Sequence, residues 1–148
     1  MLGRGPLCTA IRLPELHART KWDWKCLAGC FGRSRISPSD FDAVVERNGR
    51  FLVIETKHPN TLVDEGQAIL LEQASRLPGW WVLVVWGDCP VVTSIAVVGK
   101  DDIRTGIGRP ATTADLRMIC EDWFRRANNF PTPRPPLSRY RRSSAVSW

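Results

Sequence analysis

Four residues in DFDAVVERNGRFLVIETK, residues 40–57, have the types and spacing for hydrolytic chemistry: Asp40, Asp42, Glu55 and Lys57. Asn48-Gly49 lies between two apolar runs, and Asn-Gly in that setting is the strongest short-range signal for a hairpin with a two-residue turn. Such a turn pairs residues whose numbers sum to 97: Arg47 with Arg50, Val45 with Leu52, Asp42 with Glu55 and Asp40 with Lys57. Side chains alternate along a strand, so the three acids and the lysine share one face. Carboxylates directly across a strand pair lie about 5 Å apart and repel, unless a cation sits between them. Carboxylate oxygens suit a hard cation such as Mg²⁺ or Mn²⁺. Asp42 and Glu55 would supply side-chain ligands, and the Thr56 carbonyl a third. Lys57 would lie beside a metal-activated water, or offset charge in a phosphoryl transition state. This chemistry needs no histidine, and the chain has only His17 and His58. The register decides it. A one-residue bulge at Gly49 would shift the sum to 96, bring Asp42 opposite Ile54, and take it off that face.

The elements that must position these residues are legible from periodicity. The hairpin predicts strands over 41–47 and 50–56, the second central in its sheet because Phe51-Leu52-Val53-Ile54 is apolar on both faces. A helix follows over 64–77, with Ala68, Leu71, Ala74 and Leu77, or Leu70 and Ala74, inward, ended by Pro78-Gly79. WWVLVVWG predicts a buried strand over 81–86, and VVTSIAVVG another over 91–98. Residues 99–112 read as loop. Thr112 or Thr113 can cap a last helix over 113–128, with Leu116, Ile119, Cys120, Trp123 and Phe124 toward the sheet. Ahead of the hairpin, Leu13 to Arg19 reads as a short helix, and a further strand could occupy 19–25. Trp22, Trp24, Leu27 and Phe31 are candidates for burial. The order is α/β, with a mixed sheet flanked by helices. Residues 1–129 read as one domain, and 130–148 as a Pro/Arg-rich tail too polar to bury a core.

An Asp, a short strand pair and Glu-x-Lys on a central strand resemble the signature of the PD-(D/E)XK nuclease superfamily. GRFLVIETKHPNTLVDEGQ, with nine residues between Lys57 and Gln67, is most similar to the VRR-NUC group, itself like Holliday-junction resolvases. LLEQASRLPGWWVLVV resembles the group's next helix, turn and strand. The resemblance covers residues 40–86 and implies a restriction-endonuclease-like core (α-β-β-β-α-β). It carries Asp42, Glu55 and Lys57 over as catalytic, with Gln67 supporting them near the phosphate or metal. Glu15 is the one candidate for the family's first-helix acid. The family's Pro-Asp is Phe41-Asp42 here, and Asp40, in Pro-Ser-Asp, is the alternative ligand. The group's Val-Arg-Arg run is absent, and nothing after residue 98 matches. Members that lose catalysis persist as nucleic-acid-binding or assembly proteins, which is the alternative function. A structure-selective substrate such as a branch, flap or junction suits a compact nuclease, and junction cleavage would need two sites, hence a homodimer.

Composition sets the outer bounds. Of 148 residues, 43% are hydrophobic and 24% charged, an ordinary globular balance. No apolar run approaches the ~20 residues of a membrane span, and MLGRGPLCTAIRLPEL lacks the apolar core of a signal peptide. Five cysteines without Cys-x-x-Cys spacing suggest reduced thiols in a cytoplasmic setting, the host cytoplasm if the protein is phage-encoded. The net charge of +6 is uneven: +4 over residues 1–40, −2 over 41–110, 0 over 111–130 and +4 over 131–148. Basic ends flanking a mildly acidic centre suit a polyanion, DNA more than RNA, along Lys21, Lys25, Arg33, Arg35, Arg139, Arg141 and Arg142. Serine or cysteine hydrolase motifs and a phosphate-binding Gly-rich loop are absent.

Overall fold

Asn48 and Gly49 both take positive φ, 52° and 79°, the two left-handed residues that a type I′ turn requires. In the computed structural model, which describes residues 23–130, they join β1 (Ala43–Arg47) to β2 (Arg50–Lys57). Arg47 pairs with Arg50, Val45 with Leu52 and Ala43 with Ile54, so the sum of 97 holds along the ladder. The bulged register does not form.

Asp64 caps the next element, α1 (Glu65–Ser75), by accepting from the Gln67 backbone N–H at 3.0 Å. A cap of this kind is worth about 1 kcal/mol, and here it fixes Gln67 in the first helical turn. Ala68, Leu71 and Ala74 are buried. Leu77, expected inward, is 48% exposed, because the helix ends two residues before it. Beyond the Gly79 turn, β3 (Trp80–Asp88) runs parallel to β2, with Glu55 beside Val84 and Lys57 beside Trp86. The sheet continues antiparallel through β4 (Val91–Val97) and the two-residue β5 (Arg109–Pro110), in the order β1-β2-β3-β4-β5. Sequence periodicity read β5 as loop; two residues are too few to show alternation. The last helix, α2 (Thr113–Asn129), opens with a capping box between Thr112 and Asp115.

The helices cover opposite faces of this mixed five-stranded sheet. Val53, Val82, Val84, Trp86 and Ala96 pack with Ala68 and Leu71 of α1. Leu52, Leu83, Val85, Ile95 and Val97 pack with Trp123 and Ala127 of α2. Strand β2 is interior, paired on both sides as its two apolar faces demand, while β3 is the middle strand and β1 an exposed edge. Phe124, expected on the sheet side of α2, is 49% exposed, since the buried stripe is centred on Trp123 and Ala127.

The chain divides after Asp40 into two units. In the first, Asp23 caps a 3-10 helix over Trp24–Leu27. No strand occurs over 23–25, and Trp24 and Phe31 are exposed where burial was expected. The expected helix over 13–19, Trp22 and residues 131–148 lie outside the described residues.

Candidate active site

Strand alternation sends Val53, Glu55 and Lys57 to the α1 face of β2. Val53 joins the core there, while Glu55 and Lys57 come at the strand's end, where the core gives way to the first turn of α1. Glu55 is 4% exposed, the buried charged residue among the described residues. Its Oε1 accepts from Gln67 Nε2 at 2.5 Å and lies 3.2 Å from Lys57 Nζ. Its Oε2 is buried with no hydrogen-bond partner, and so is Gln67 Oε1. Both are acceptors. Leaving a buried acceptor unsatisfied costs about 1–3 kcal/mol, so this corner calls for a proton donor or a cation. The Glu55 carboxyl is pushed above its ordinary range, first by burial and then by the charge of Asp42, against the opposing pull of Lys57 and Gln67.

Asp42 reaches this corner by a different route from a strand pair. Strand β1 stops at Ala43, so Phe41 does not take its ladder place opposite Thr56. The Asp42 carboxylate substitutes: Oδ2 accepts from the Thr56 backbone N–H at 2.8 Å and from its hydroxyl at 2.6 Å. Charge-assisted hydrogen bonds of this length are the stronger kind. Asp42 therefore folds over Thr56 at the sheet edge, within electrostatic reach of Glu55. In an antiparallel pair the N–H and C=O of a residue point to the same side, so the Thr56 carbonyl also faces the gap left by β1. The Thr56 hydroxyl was not foreseen; nothing in the sequence says where β1 stops.

The structure thus brings Asp42, Glu55, Thr56, Lys57 and Gln67 together at one end of the sheet. Asp40 lies beyond β1, in the first unit, and the expected ladder pairing with Lys57 does not extend to it. Lys25, Arg33 and Arg35 are exposed, with Lys25 paired to Asp23 at 3.7 Å. Glu15, Lys21, Arg139, Arg141 and Arg142 lie outside the described residues. Among the described residues no group of three or more His, Cys, Asp or Glu is gathered to hold a metal ion, so a cation here would rest on two carboxylates plus carbonyl, amide and water oxygens. That donor set is all oxygen and suits Mg²⁺ or Mn²⁺.

Two further contacts frame the site. Trp86, one strand over from Lys57, donates its indole N–H to the Thr61 carbonyl at 2.8 Å, tying down the loop between β2 and α1. Arg104 bridges Glu65 at 2.9 Å and also pairs with Glu72, clamping the start and middle of α1. Both depend on tertiary placement and carry no local sequence signal. No family model, curated protein or solved structure matches the chain. No helix among the described residues is long and apolar enough to cross a membrane.

Proposed function

We propose that this chain is a divalent-metal-dependent nuclease of the PD-(D/E)XK type, hydrolysing DNA phosphodiester bonds, with the VRR-NUC group as its nearest likeness. The observation that carries the proposal is Glu55. It is a buried carboxylate between Lys57 and Gln67, with one oxygen unpartnered, and Asp42 is held at the end of the same hairpin. A fold stabilised by its core alone would place an apolar side chain there. The succession β1, β2, α1, β3, with β2 and β3 parallel, agrees with the later part of the family's core.

The donor atoms fit a cation. Glu55 Oε2, the Asp42 oxygen not turned to Thr56, and the Thr56 carbonyl would hold Mg²⁺ or Mn²⁺. There it supplies electrophilic charge to a phosphoryl oxygen and a more acidic water. The chain's own residues do the rest. Gln67 fixes the rotamer of Glu55 by holding Oε1. Lys57, with a side chain 18% exposed, can hold its ammonium toward a phosphate while its stem stays packed. Its charge opposes the negative charge that builds as the phosphodiester is attacked. Thr56 anchors Asp42 through two donors, limiting the freedom of an exposed acid.

One observation favours a catalytically silent, nucleic-acid-binding or assembly role on the same frame. Asp42 Oδ2 is already engaged twice by Thr56, and no third acid joins the described site. A cleavage panel separates the two readings: linear, single-stranded, flapped and four-way DNA, with RNA as control, each with Mn²⁺ and with EDTA. Metal-dependent cutting of any DNA topology supports the enzyme. Binding without cutting under every condition supports the silent role. Preference for the four-way substrate would point to a homodimer.

A further inference from the structure

A second charged surface lies at the opposite end of β2. Arg50 opens that strand and Lys57 closes it. Seven residue steps of strand separate them, about 23 Å. Arg50 alternates with Leu52, which packs under α2, so it projects toward the end of that helix. Its Nε donates to the Phe130 carbonyl. Arg50, Arg125, Arg126, Asn129 and Phe130 line an open groove of about 430 Å³. Arg47 adjoins it, donating to Asn128 Oδ1 at 2.5 Å and standing 5.9 Å over the ring of Phe124.

The four arginines are incompletely neutralised. Arg125 and Arg126 share the single carboxylate of Asp122, and the Glu46 carboxylate nearby accepts from the Gly49 N–H at the turn. Their side chains are 72% and 63% exposed. Phe130 lines the groove at 66% exposure, and Phe124, at 49%, lies under the guanidinium of Arg47. Guanidinium forks match phosphate oxygens. Arginines interleaved with exposed aromatic side chains are the composition of a single-strand platform, where charges follow the backbone and rings or guanidinium planes stack bases. In a duplex the bases are already stacked, so the rings would go unused.

We propose that Arg47, Arg50, Arg125 and Arg126, with Phe124 and Phe130, form a binding surface for single-stranded nucleic acid, separate from the acid–lysine site. The surface does not depend on cleavage, and its test is made without metal. The full chain is titrated in EDTA with a fluorescent single-stranded 15-mer, with a duplex of equal length, and with vesicles of phosphatidylserine and phosphatidylcholine, across a salt series. The Arg50→Ala/Arg125→Ala double variant should flatten the log–log salt dependence for the single strand by about 1.4, from two phosphate contacts at ~0.7 each. Phe124→Ala should weaken single-strand binding about fivefold or more with the salt slope unchanged, and leave the duplex unaffected. Thermal melting verifies folding. If Phe124→Ala lowers the melting temperature, Phe130→Ala at the helix end carries the same measurement. The proposal is overturned if folded variants bind the single strand as the wild type does. It is equally overturned if the phenylalanine change weakens strand and duplex alike, or if the arginine change acts on vesicles but not on the oligonucleotide. None of these results bears on whether Mn²⁺ supports cutting, so the two proposals fail separately.

Discussion

Replacing Glu55 by Gln keeps the shape of the side chain and removes its charge. Glu55 is 4% exposed, and burial, then Asp42, holds its carboxyl above the usual value near 4.5. A raised pKa means that the folded chain binds this proton more tightly than the unfolded chain. Stability therefore falls as pH rises from about 4.5 through the folded-state pKa, and the loss is complete above it. At pH 7.5 the wild type carries that cost and the amide does not. Each tenfold change in proton affinity is ~1.4 kcal/mol, and the amide's weaker hold on Lys57 offsets part of it. We expect metal-free Glu55→Gln to match or exceed the wild type in melting temperature at this pH. Metal reverses the order. At a hundredfold excess over its Kd, a cation stabilises the wild type by about 2.7 kcal/mol, roughly 10 °C, and the variant by far less. Thermal melts followed by circular dichroism at pH 5–8, in EDTA and in Mn²⁺, read both effects. A variant that melts below the wild type in EDTA at pH 7.5, with equal Mn²⁺ shifts in both proteins, would refute this reasoning. Glu55 would then be a structural partner of Lys57 and no cation ligand.

Three other outcomes follow from single contacts. Asp42→Asn removes the second cause of the raised Glu55 pKa; carboxyl titration by NMR should move Glu55 downward, and metal-dependent cleavage should fall about a hundredfold or more, the scale of losing a charge-stabilising group. Gly49→Val places a β-branched residue at φ 79°; it should cost about 1–2 kcal/mol, measured by urea unfolding. Trp86→Phe leaves the Thr61 carbonyl without its indole donor; a cost of about 1–3 kcal/mol and faster hydrogen exchange in the 58–64 loop are expected, and unchanged exchange would show that the contact does not hold the loop.

What could be seen in advance was whatever local geometry dictates. Asn48-Gly49 fixed the register because two successive positive-φ residues admit few alternatives, and alternation along β2 placed Glu55 and Lys57 on one face. The inward set Ala68, Leu71 and Ala74 followed from helical period. Leu77 was misplaced because period alone does not say that α1 ends at Ser75, and Phe124 because a stripe of apolar residues is wider than the face that packs. The position of Asp42 was half legible. Its number opposite Glu55 followed from the turn, but its capture by Thr56 depends on β1 stopping at Ala43, a boundary set by tertiary context. The arginine groove at the hairpin turn had no sequence signal, since Arg47 and Arg50 meet Arg125 and Arg126 only through packing of α2.

The proposal is that Asp42, Glu55 and Lys57 form a metal-dependent hydrolytic site. The most direct measurement compares wild type and Lys57→Ala on labelled DNA substrates in Mn²⁺, scoring binding and cleavage in parallel. The claim predicts that the wild type cuts at least one DNA topology only when metal is present, and that Lys57→Ala binds that substrate with unchanged affinity and fails to cut it. A wild type that binds DNA and never cuts it, or a Lys57→Ala variant that cuts as fast as the wild type, would contradict it.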